Sequence, residues 1–451
     1  MSSNIVDPNK YSTLQDDSAM IQAAVDEAAK KGLAVLIPRI NARTNAAIWN
    51  ITEEINLYTG SVIYLDNCHL RLADNTFCNI FKNSHARTGS ASDLSGRQYD
   101  IRITGFGNAV LDGGEHNGHV DRGNIKAAGW GIPTDGYEMM KNICIHFHNA
   151  ERITVENLRI INLRFWGVTF HYCSNVRVSN IDFECDKNYV NLDGVDLRVG
   201  CHDFIIENLS GKTGDDMLAL TNLGDSKYMV EGLDTAIYNV YVRNVRAKLI
   251  GNHAIVRLLC DNGFQIYNIN IDGVMDCSKS GEELHRPFAA IRIGDPFYND
   301  GTGGEQASGD IRAVTIRNII TRAEMAVYIC KSLQDALFDG IQLYGDAGTA
   351  VYFFRANAKN ITFRDIQYGA DSRIFSIGQD LKILGVKSEY LSNLYFYTSK
   401  CDGIRVCSLT VGQGADAVFA GIDSQAKIDL IGLYNASCTP LISGKGISVK
   451  F

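Results

Sequence analysis

Short stretches in which aliphatic residues alternate with polar ones recur along most of the chain. The repeated phrase is aliphatic-x-aliphatic-x-Asn/Gly/Asp-aliphatic, and clear copies occupy residues 153–158, 176–181 and 204–209. An alternation of period two predicts a short strand with one buried face. The Asn, Gly or Asp near the end of each phrase is typical of a tight bend, where left-handed backbone angles are needed.

The spacing of these phrases predicts the fold. Asn157 and Asn180 mark one interval, and the most regular copies share a nearly constant period without a helical pattern between them. Such a period predicts an all-β protein, a single-stranded right-handed parallel β-helix of about ten or more coils. We expect Asn157, Asn180 and Asn208 to stack as an internal hydrogen-bonded ladder. The alternative interpretation is two unrelated sandwich domains.

The N-terminal segment has a different pattern. Acidic residues at 16–17 precede apolar residues with helical spacing over 20–28, and Gly32 follows as a stop signal. We expect an amphipathic helix that caps the open first coil, followed by the first strand at 34–37. The predicted organisation is one β-helix domain over 1–451, with the cap and first strand in 1–38, catalytic coils in 99–320 and C-terminal coils in 321–451.

Composition narrows the classes of function. The net charge is −8 and the 43 basic residues are not clustered, which argues against a nucleic-acid-binding surface. No apolar run approaches the length of a membrane span, so no membrane partner is expected. The absence of a signal segment predicts a cytoplasmic protein, or a secreted one if Met1-Ser2-Ser3 replaced a removed signal. The twelve scattered cysteines are interpreted mostly as small core residues in a reducing compartment.

Two acidic phrases carry the candidate chemistry. Asp193 lies in the phrase 191–196, and Asp215 and Asp216 lie in 214–220, so Asp193 and Asp216 are one repeat period apart. Residues one coil apart lie on neighbouring strands, about 4.8 Å from each other. Close carboxylates repel, which keeps one protonated beside an ionised neighbour. This arrangement suits acid/base cleavage of a glycosidic bond, although aspartates beside glycine are also common turn residues.

Alignment by strand extends this face to later coils. Asp193 precedes Val195/Leu197 by two residues, and Asp216 stands in the same relation to Leu218/Leu220. His253 is expected to stack next, with Arg257 at the position of Leu220 and Arg292 on the following coil. Trp166 and His171 are expected to line the groove as a sugar-stacking surface, although core packing is an equally good interpretation of Trp166. His116 and His119 are interpreted as loop residues, and neither a metal nor another cofactor is expected.

These phrases resemble those of the polygalacturonase family, glycoside hydrolase family 28, within the pectin-lyase-like superfamily. The family pattern is Asn-x-Asp-Gly-x-Asp, then Gly-Asp-Asp, Gly-His-Gly and Arg-x-Lys. This chain has Asn-Leu-Asp-Gly-Val-Asp at 191–196, Gly-Asp-Asp at 214–216, Asn-His-Ala at 252–254 and Arg-Ile-Gly at 292–294. The likeness covers roughly residues 15 to 320.

The resemblance implies a role for each matching residue. Asp215 would be the general acid, Asp193 and Asp216 would hold and activate water, and His253 would tune the acid's protonation. Such an enzyme would invert the anomeric centre, with acid and base about 6.5–9.5 Å apart. The expected partner is an oligo- or polysaccharide, and a homo-oligomer is possible. The substrate-binding residues are expected to be Arg292, Asn191, Arg257, Trp166 and His171.

Two departures from the family pattern leave the substrate open. The family's Lys is Gly294 here, and Gly-His-Gly has become Asn-His-Ala. Arg292 or Arg257 could still bind a galacturonate carboxylate. The alternatives are a neutral α-linked sugar, a polysaccharide lyase on the same scaffold, and a non-catalytic glycan-binding module.

Overall fold

The computed structural model describes residues 4–115, 117, 142–186, 191–224, 228–251, 253–279, 287–296, 310–343, 349–368, 392–411, 417–435 and 438–451. These residues are mostly β, with one α-helix near the N-terminus, and their parallel strands wind nearly round an axis as in a β-helix. The predicted fold class is therefore confirmed. The candidate loop residues His116 and His119, and Asn252 of the third phrase, lie outside the described residues.

The chain divides into two compact units. The first unit comprises Met1–Asp215 and Gly224–Thr235, and the second comprises Asp216–Leu223 and Ala236–Phe451. The division falls on the peptide bond between Asp215 and Asp216, within the second acidic phrase. A single domain over 1–451 stays a prediction.

The first unit contains the α-helix and thirteen strands among its described residues. The helix α1 spans Asp17–Lys31. The strands are β1 (Ile5–Val6), β2 (Ala34–Ile37), β3 (Ile48–Ile51), β4 (Ile55–Leu57), β5 (Val62–Asp66), β6 (His69–Leu72), β7 (Phe81–Asn83), β8 (Gln98–Phe106), β9 (Val110–Asp112), β10 (Ile145–Ile161), β11 (Val168–Glu184), β12 (Val195–Leu197) and β13 (His202–Thr213).

Apolar residues of consecutive coils stack inside the first unit. Ile153 of β10 pairs with Val176 of β11, which pairs with Phe204 of β13, all in parallel register. All three are at most 2% exposed. The repeated phrases therefore stack as the period predicted, since each phrase places its aliphatic positions on the same buried face.

The helix α1 forms as its sequence predicts. Asp16 accepts a hydrogen bond from the amide of Ala19 at 2.7 Å, and Gly32 ends the helix with a φ of 64°. The helix also bonds to the strands beneath it, because the buried carboxylate of Asp17 accepts from the amide of Asn50 at 2.7 Å. The predicted cap over the first coils is confirmed.

The asparagines at the bends form a hydrogen-bonded ladder. Asn180 Nδ2 donates to Asn157 Oδ1 at 2.8 Å, and Asn208 Nδ2 donates to Asn180 Oδ1 at 2.8 Å. All three have a φ between 56° and 60°, in the left-handed region that Asn tolerates. The ladder is solvent-exposed, so the expectation of an internal ladder was wrong. The bend turns these side chains outward, and apolar residues fill the core.

The second unit contains sixteen strands among its described residues. They are β14 (Leu218–Asn222), β15 (Ile237–Leu249), β16 (Ala254–Cys260), β17 (Ile266–Asp276), β18 (Ala289–Ile293), β19 (Ile311–Thr321), β20 (Met325–Ile329), β21 (Leu333–Leu343), β22 (Thr349–Phe354), β23 (Asn357–Tyr368), β24 (Ser392–Tyr397), β25 (Lys400–Thr410), β26 (Ala417–Ile422), β27 (Gln425–Tyr434), β28 (Ile442–Gly444) and β29 (Ile447–Lys450).

The even-numbered strands of the second unit form one parallel stack with two chemically different faces. One face is a column of buried aliphatic and aromatic residues that begins with Val256, Ile291 and Val327. The neighbouring positions on the opposite face begin with Arg257 and Arg292, and then become a ladder of buried tyrosines at Tyr328, Tyr352 and Tyr395.

The twelve cysteines all lie within the described residues, where each is a thiol, and most of them are buried. Burial raises the pKa of several of these thiols, for example that of Cys68 to about 12. The prediction that they are mainly small core residues is confirmed. Among the described residues, no helix is long and apolar enough to cross a bilayer.

Candidate active site

Asp193 and Asp215 lie together in the first unit. One carboxylate oxygen of each lies within 4.8 Å of the other, and each residue is only 4% exposed. The two phrases therefore bring their acids to one place although most of a repeat separates them in sequence. Two buried carboxylates this close interact strongly, and such pairs are typical of acid/base sites.

Backbone hydrogen bonds hold both acids in place. The carbonyl of Leu192 accepts from the amides of Gly214 and Asp215 at 3.2 Å, which ties the two phrases together. The amide of Asn191 donates to Asp215 Oδ2 at 2.7 Å. Asn191, expected to bind substrate, thus orients the Asp215 carboxylate through its backbone.

The position just before β11 requires a glycine. The amide of Gly167 donates to the carbonyl of Asp193 at 2.9 Å. A Cβ at Gly167 would lie 2.6 Å from the carbonyl oxygen of Gly194, closer than real contacts allow. The Phe-Trp-Gly sequence at 165–167 therefore lets the backbone of the acidic phrase approach closely.

Trp166 and His171 are buried in the first unit. Trp166 is 5% exposed, with the Arg198 guanidinium 4.4 Å from its ring centroid. His171 is 2% exposed and stacks on Tyr228 at 4.5 Å. Of the two interpretations left open, core packing describes Trp166 better than an exposed sugar-stacking surface.

His171 belongs to a cluster of buried histidines that the sequence analysis did not find. His146 Nε2 lies 3.3 Å from His171 Nδ1, and His148 Nε2 lies 3.0 Å from the carbonyl of Tyr228. Burial lowers the pKa of His148 to about 4 and those of His146 and His171 well below the ordinary value. The alternation of His146 and His148 about the apolar Phe147 was the signal available in the sequence.

In the second unit, Asp216 is fully buried and its charge is compensated. Asp216 Oδ1 accepts from the amide of Ala254 at 2.9 Å, and Oδ2 forms an ion pair with Arg257 Nε. The pairing register places Ala219, and not Leu220, beside Arg257. The expected alignment was therefore wrong by one residue.

Because of this one-residue offset, His253 does not occupy its predicted position. Ala254 takes the position beside Asp216 that the sequence analysis gave to His253. His253 is half-buried, and its carbonyl accepts from the amide of Phe288 at 2.9 Å. A slip of one residue exchanges the faces of a strand, which is why spacing alone could not fix this position.

Arg292 lies on the coil after Arg257, as expected, because the two residues are register partners. Asp295 joins them, with Oδ2 2.9 Å from Arg292 Nη2 and 3.6 Å from Arg257 Nη1. Arg292 is only 2% exposed, and its guanidinium carbon lies 5.4 Å from the centroid of the Phe288 ring. Asp295 was not predicted from the sequence, and it completes a row of alternating charges with Asp216, Arg257 and Arg292.

Gly294 explains why the family's Lys is absent. Its φ is 84°, and its amide donates to the carbonyl of Leu258 at 2.7 Å. A lysine with this backbone conformation would be strained by about 1–2 kcal/mol. The departure from Arg-x-Lys is therefore built into the backbone of this coil.

Solved structures share the fold of this chain at low sequence identity. A tailspike protein mutant of E. coli bacteriophage HK620 in complex with a pentasaccharide matches with a TM-score of 0.53 and 14% identity, covering 97% of this chain and 77% of that chain. PfbA, a surface adhesin of Streptococcus pneumoniae, gives 0.50 and 14%, with 99% and 93% covered. The family 28 exopolygalacturonase of Yersinia enterocolitica gives 0.49 and 13%, with 99% and 77% covered.

The sequence profile of Glycosyl hydrolases family 28 matches residues 65–235. This range includes Asp193, Asp215 and Asp216, and it agrees with the resemblance seen in the acidic phrases. Residues 65–235 therefore form a glycosyl hydrolase family 28 domain, and this domain indicates a glycoside hydrolase.

Proposed function

We propose that this enzyme hydrolyses glycosidic bonds in galacturonate-containing, pectic oligo- or polysaccharides, with inversion at the anomeric carbon. The observation that supports this most is the Asp193–Asp215 pair, two buried carboxylates with oxygens within 4.8 Å of each other. Both residues lie within the stretch that matches family 28.

In this proposal Asp215 protonates the leaving oxygen, while Asp193 and Asp216 hold and activate the attacking water. The Asn191 amide orients Asp215, and the Ala254 amide and Arg257 orient Asp216. General acid and base groups need such fixed positions, because proton transfer requires hydrogen-bond contact with the substrate. His253 would tune the protonation of the acid. The proposed chemistry needs no cofactor.

The distance between the acid and the base bears on the stereochemical outcome. Inverting enzymes typically separate acid and base by about 6.5–9.5 Å, whereas retaining enzymes use about 5–5.5 Å. One carboxylate oxygen of Asp193 and one of Asp215 lie within 4.8 Å of each other, closer than the separation typical of inverting enzymes. Inversion therefore requires an attacking water beside the pair, and in this proposal Asp193 and Asp216 hold that water. The configuration of the anomer released first tests this requirement.

A second candidate substrate is a neutral α-linked sugar. Gly294 leaves no lysine for a carboxylate at that position, and Arg292 is already paired with Asp295. Both observations weaken recognition of an acidic group on this coil, but neither affects the hydrolytic chemistry.

The test measures turnover and products on galacturonate trimers and on matched neutral trimers. We expect hydrolysis of the acidic trimer, with the inverted anomer seen first by NMR. Asp215→Asn should keep binding and lower kcat by about 10²–10⁴-fold, because it removes the general acid. Asp182→Asn is the matched control, since this exposed carboxylate of the first unit bonds to Ser210 away from the pair.

Each contrary outcome has a distinct meaning. Release of the retained anomer would exclude the roles given to Asp193 and Asp216. Products that absorb in the ultraviolet, together with inhibition by a chelator, would identify a lyase. Unchanged turnover in Asp215→Asn would exclude this residue as the acid, and binding without turnover in the parent protein would indicate a glycan-binding module.

A further inference from the structure

A second charged cluster lies in the first unit, around Lys82 and Arg87. Lys82 Nζ lies 3.3 Å from Glu54 Oε1, and Arg87 Nη2 forms an ion pair with Glu54 Oε2. The side chains of Lys82 and Arg87 are each only 8% exposed. Two cationic side chains thus share one carboxylate in a largely buried place.

Arg87 keeps unused hydrogen-bond donors in this cluster. Within the described part of the chain, its Nε and Nη1 atoms are buried and have no hydrogen-bond partner. Unpaired buried donors on a charged group are costly and rare in native proteins. A bound ligand can supply the missing acceptor for such a group.

His146 completes the cluster from the next coil. It pairs with Lys82 in parallel register, is fully buried, and its Nδ1 atom also lacks a partner among the described residues. Burial, followed by the charges of Arg87, His148 and Lys82, lowers the pKa of His146 well below its usual range. A neutral imidazole can donate one hydrogen bond without adding a charge that would repel the two cations.

The cluster shares a strand face with the second aspartate of the first acidic phrase. His146 pairs with Lys82 on one side and Thr169 on the other, and Thr169 pairs with Asp196. Three steps between neighbouring strands separate Lys82 from Asp196, which is roughly 14 Å along the stack. Lys82, His146, Thr169 and Asp196 therefore form one continuous row across four neighbouring strands.

We infer that Lys82, Arg87 and His146 form a binding site for the carboxylate of an acidic sugar, away from the bond that is cleaved. Guanidinium and ammonium groups are the usual partners of carboxylates, and the two guanidinium nitrogens that lack an acceptor match an anionic group. This inference rests on the proposed function for the nature of the saccharide. It gives the enzyme a means to recognise an acidic substrate although position 294 is a glycine.

The experiment measures binding without turnover. In the Asp215→Asn protein, calorimetry compares trigalacturonate with the same trimer after reduction of its carboxyl groups. We expect Arg87→Met to weaken binding of trigalacturonate by about tenfold or more, since a hydrogen bond to a charged group is lost. Binding of the reduced trimer should change less than twofold.

Controls separate recognition from folding. Arg177→Met removes an exposed arginine of the same unit that pairs with Glu207, and it should leave both affinities unchanged. If Arg87→Met does not fold, Arg87→Lys and Lys82→Met provide the comparison. Arg87→Lys should keep the preference for the acidic trimer, and Lys82→Met should reduce it.

The results would overturn the inference if the folded variants bound trigalacturonate as well as the parent protein, or lost both trimers equally. Failure of the parent protein to bind trigalacturonate would overturn it as well. Turnover by the enzyme with Asp215 intact tests the hydrolase proposal separately, because the calorimetric comparison does not depend on cleavage.

Discussion

The exposed asparagine ladder offers a direct test of how each coil turns into the next. Asn180 is the central member, with one hydrogen bond to Asn157 and one from Asn208, each 2.8 Å long. Its φ of 56° is in the left-handed region. Replacement by alanine removes both bonds and keeps a Cβ in a strained conformation, whereas replacement by glycine removes the bonds without the strain.

The magnitudes follow from these two contributions. Two exposed hydrogen bonds contribute about 0.5 kcal/mol each, at the low end for such bonds. Alanine in a left-handed conformation costs a further amount of about 1–2 kcal/mol. We expect Asn180→Ala to lower the free energy of unfolding by about 2–3 kcal/mol and Asn180→Gly by roughly 1–2 kcal/mol, since glycine also gains entropy in the unfolded chain.

Urea denaturation followed by circular dichroism measures both values, with the slope m checked for equality among the variants. The difference between the alanine and glycine variants isolates the backbone contribution. Equal losses for the two variants would refute the argument from backbone conformation. A loss of less than about 0.5 kcal/mol in Asn180→Ala would be smaller than the contribution expected from one hydrogen bond. Such a result would mean that neither the ladder nor the bend needs asparagine.

Two further predictions concern buried charge. The pKa of His148 is about 4 in the folded chain and about 6.5 when unfolded, so the unfolded state binds more protons between these values and stability falls as the pH drops through that window. His148→Gln should therefore reduce the change in the free energy of unfolding between pH 6.5 and 4 by up to about 3 kcal/mol. Urea midpoints across that range measure this change. An unchanged dependence of the midpoint on pH would contradict a neutral buried histidine. Arg257→Ala should destabilise the protein by about 3–5 kcal/mol, because it leaves Asp216 buried without its cation. Arg257→Lys should recover part of this loss, and equal melting curves for both variants would contradict the role of the ion pair.

The sequence predicted those features that depend on local pattern. Period-two alternation identified which face of each strand is buried, because a strand with one apolar face has only one way to bury it. Asp16 and Gly32 marked both ends of the helix for the same local reason. The acidic phrases brought Asp193 and Asp215 together because a nearly constant period returns the chain to the same place.

Other features depend on contacts between coils and could not be read from spacing. The position of His253 was wrong by one residue, since the connection before β16 does not preserve the count between strands. Asp295 carries no motif, and its role appears only when Arg257 and Arg292 become neighbours. His146 and His148 were missed because a polar residue on an alternating strand is ordinarily interpreted as facing solvent.

The helix at the start of the chain has a consequence for association between molecules. A stack of parallel strands has no natural end, since its last rung still offers unpaired amides and carbonyls to any extended peptide. By lying over β2–β4 and bonding to the backbone of β3 and β4 through Asp17 and Gln22, α1 closes that edge with groups that cannot be extended by another strand. The helix thereby leaves fewer backbone groups of these strands for an extended peptide to pair with.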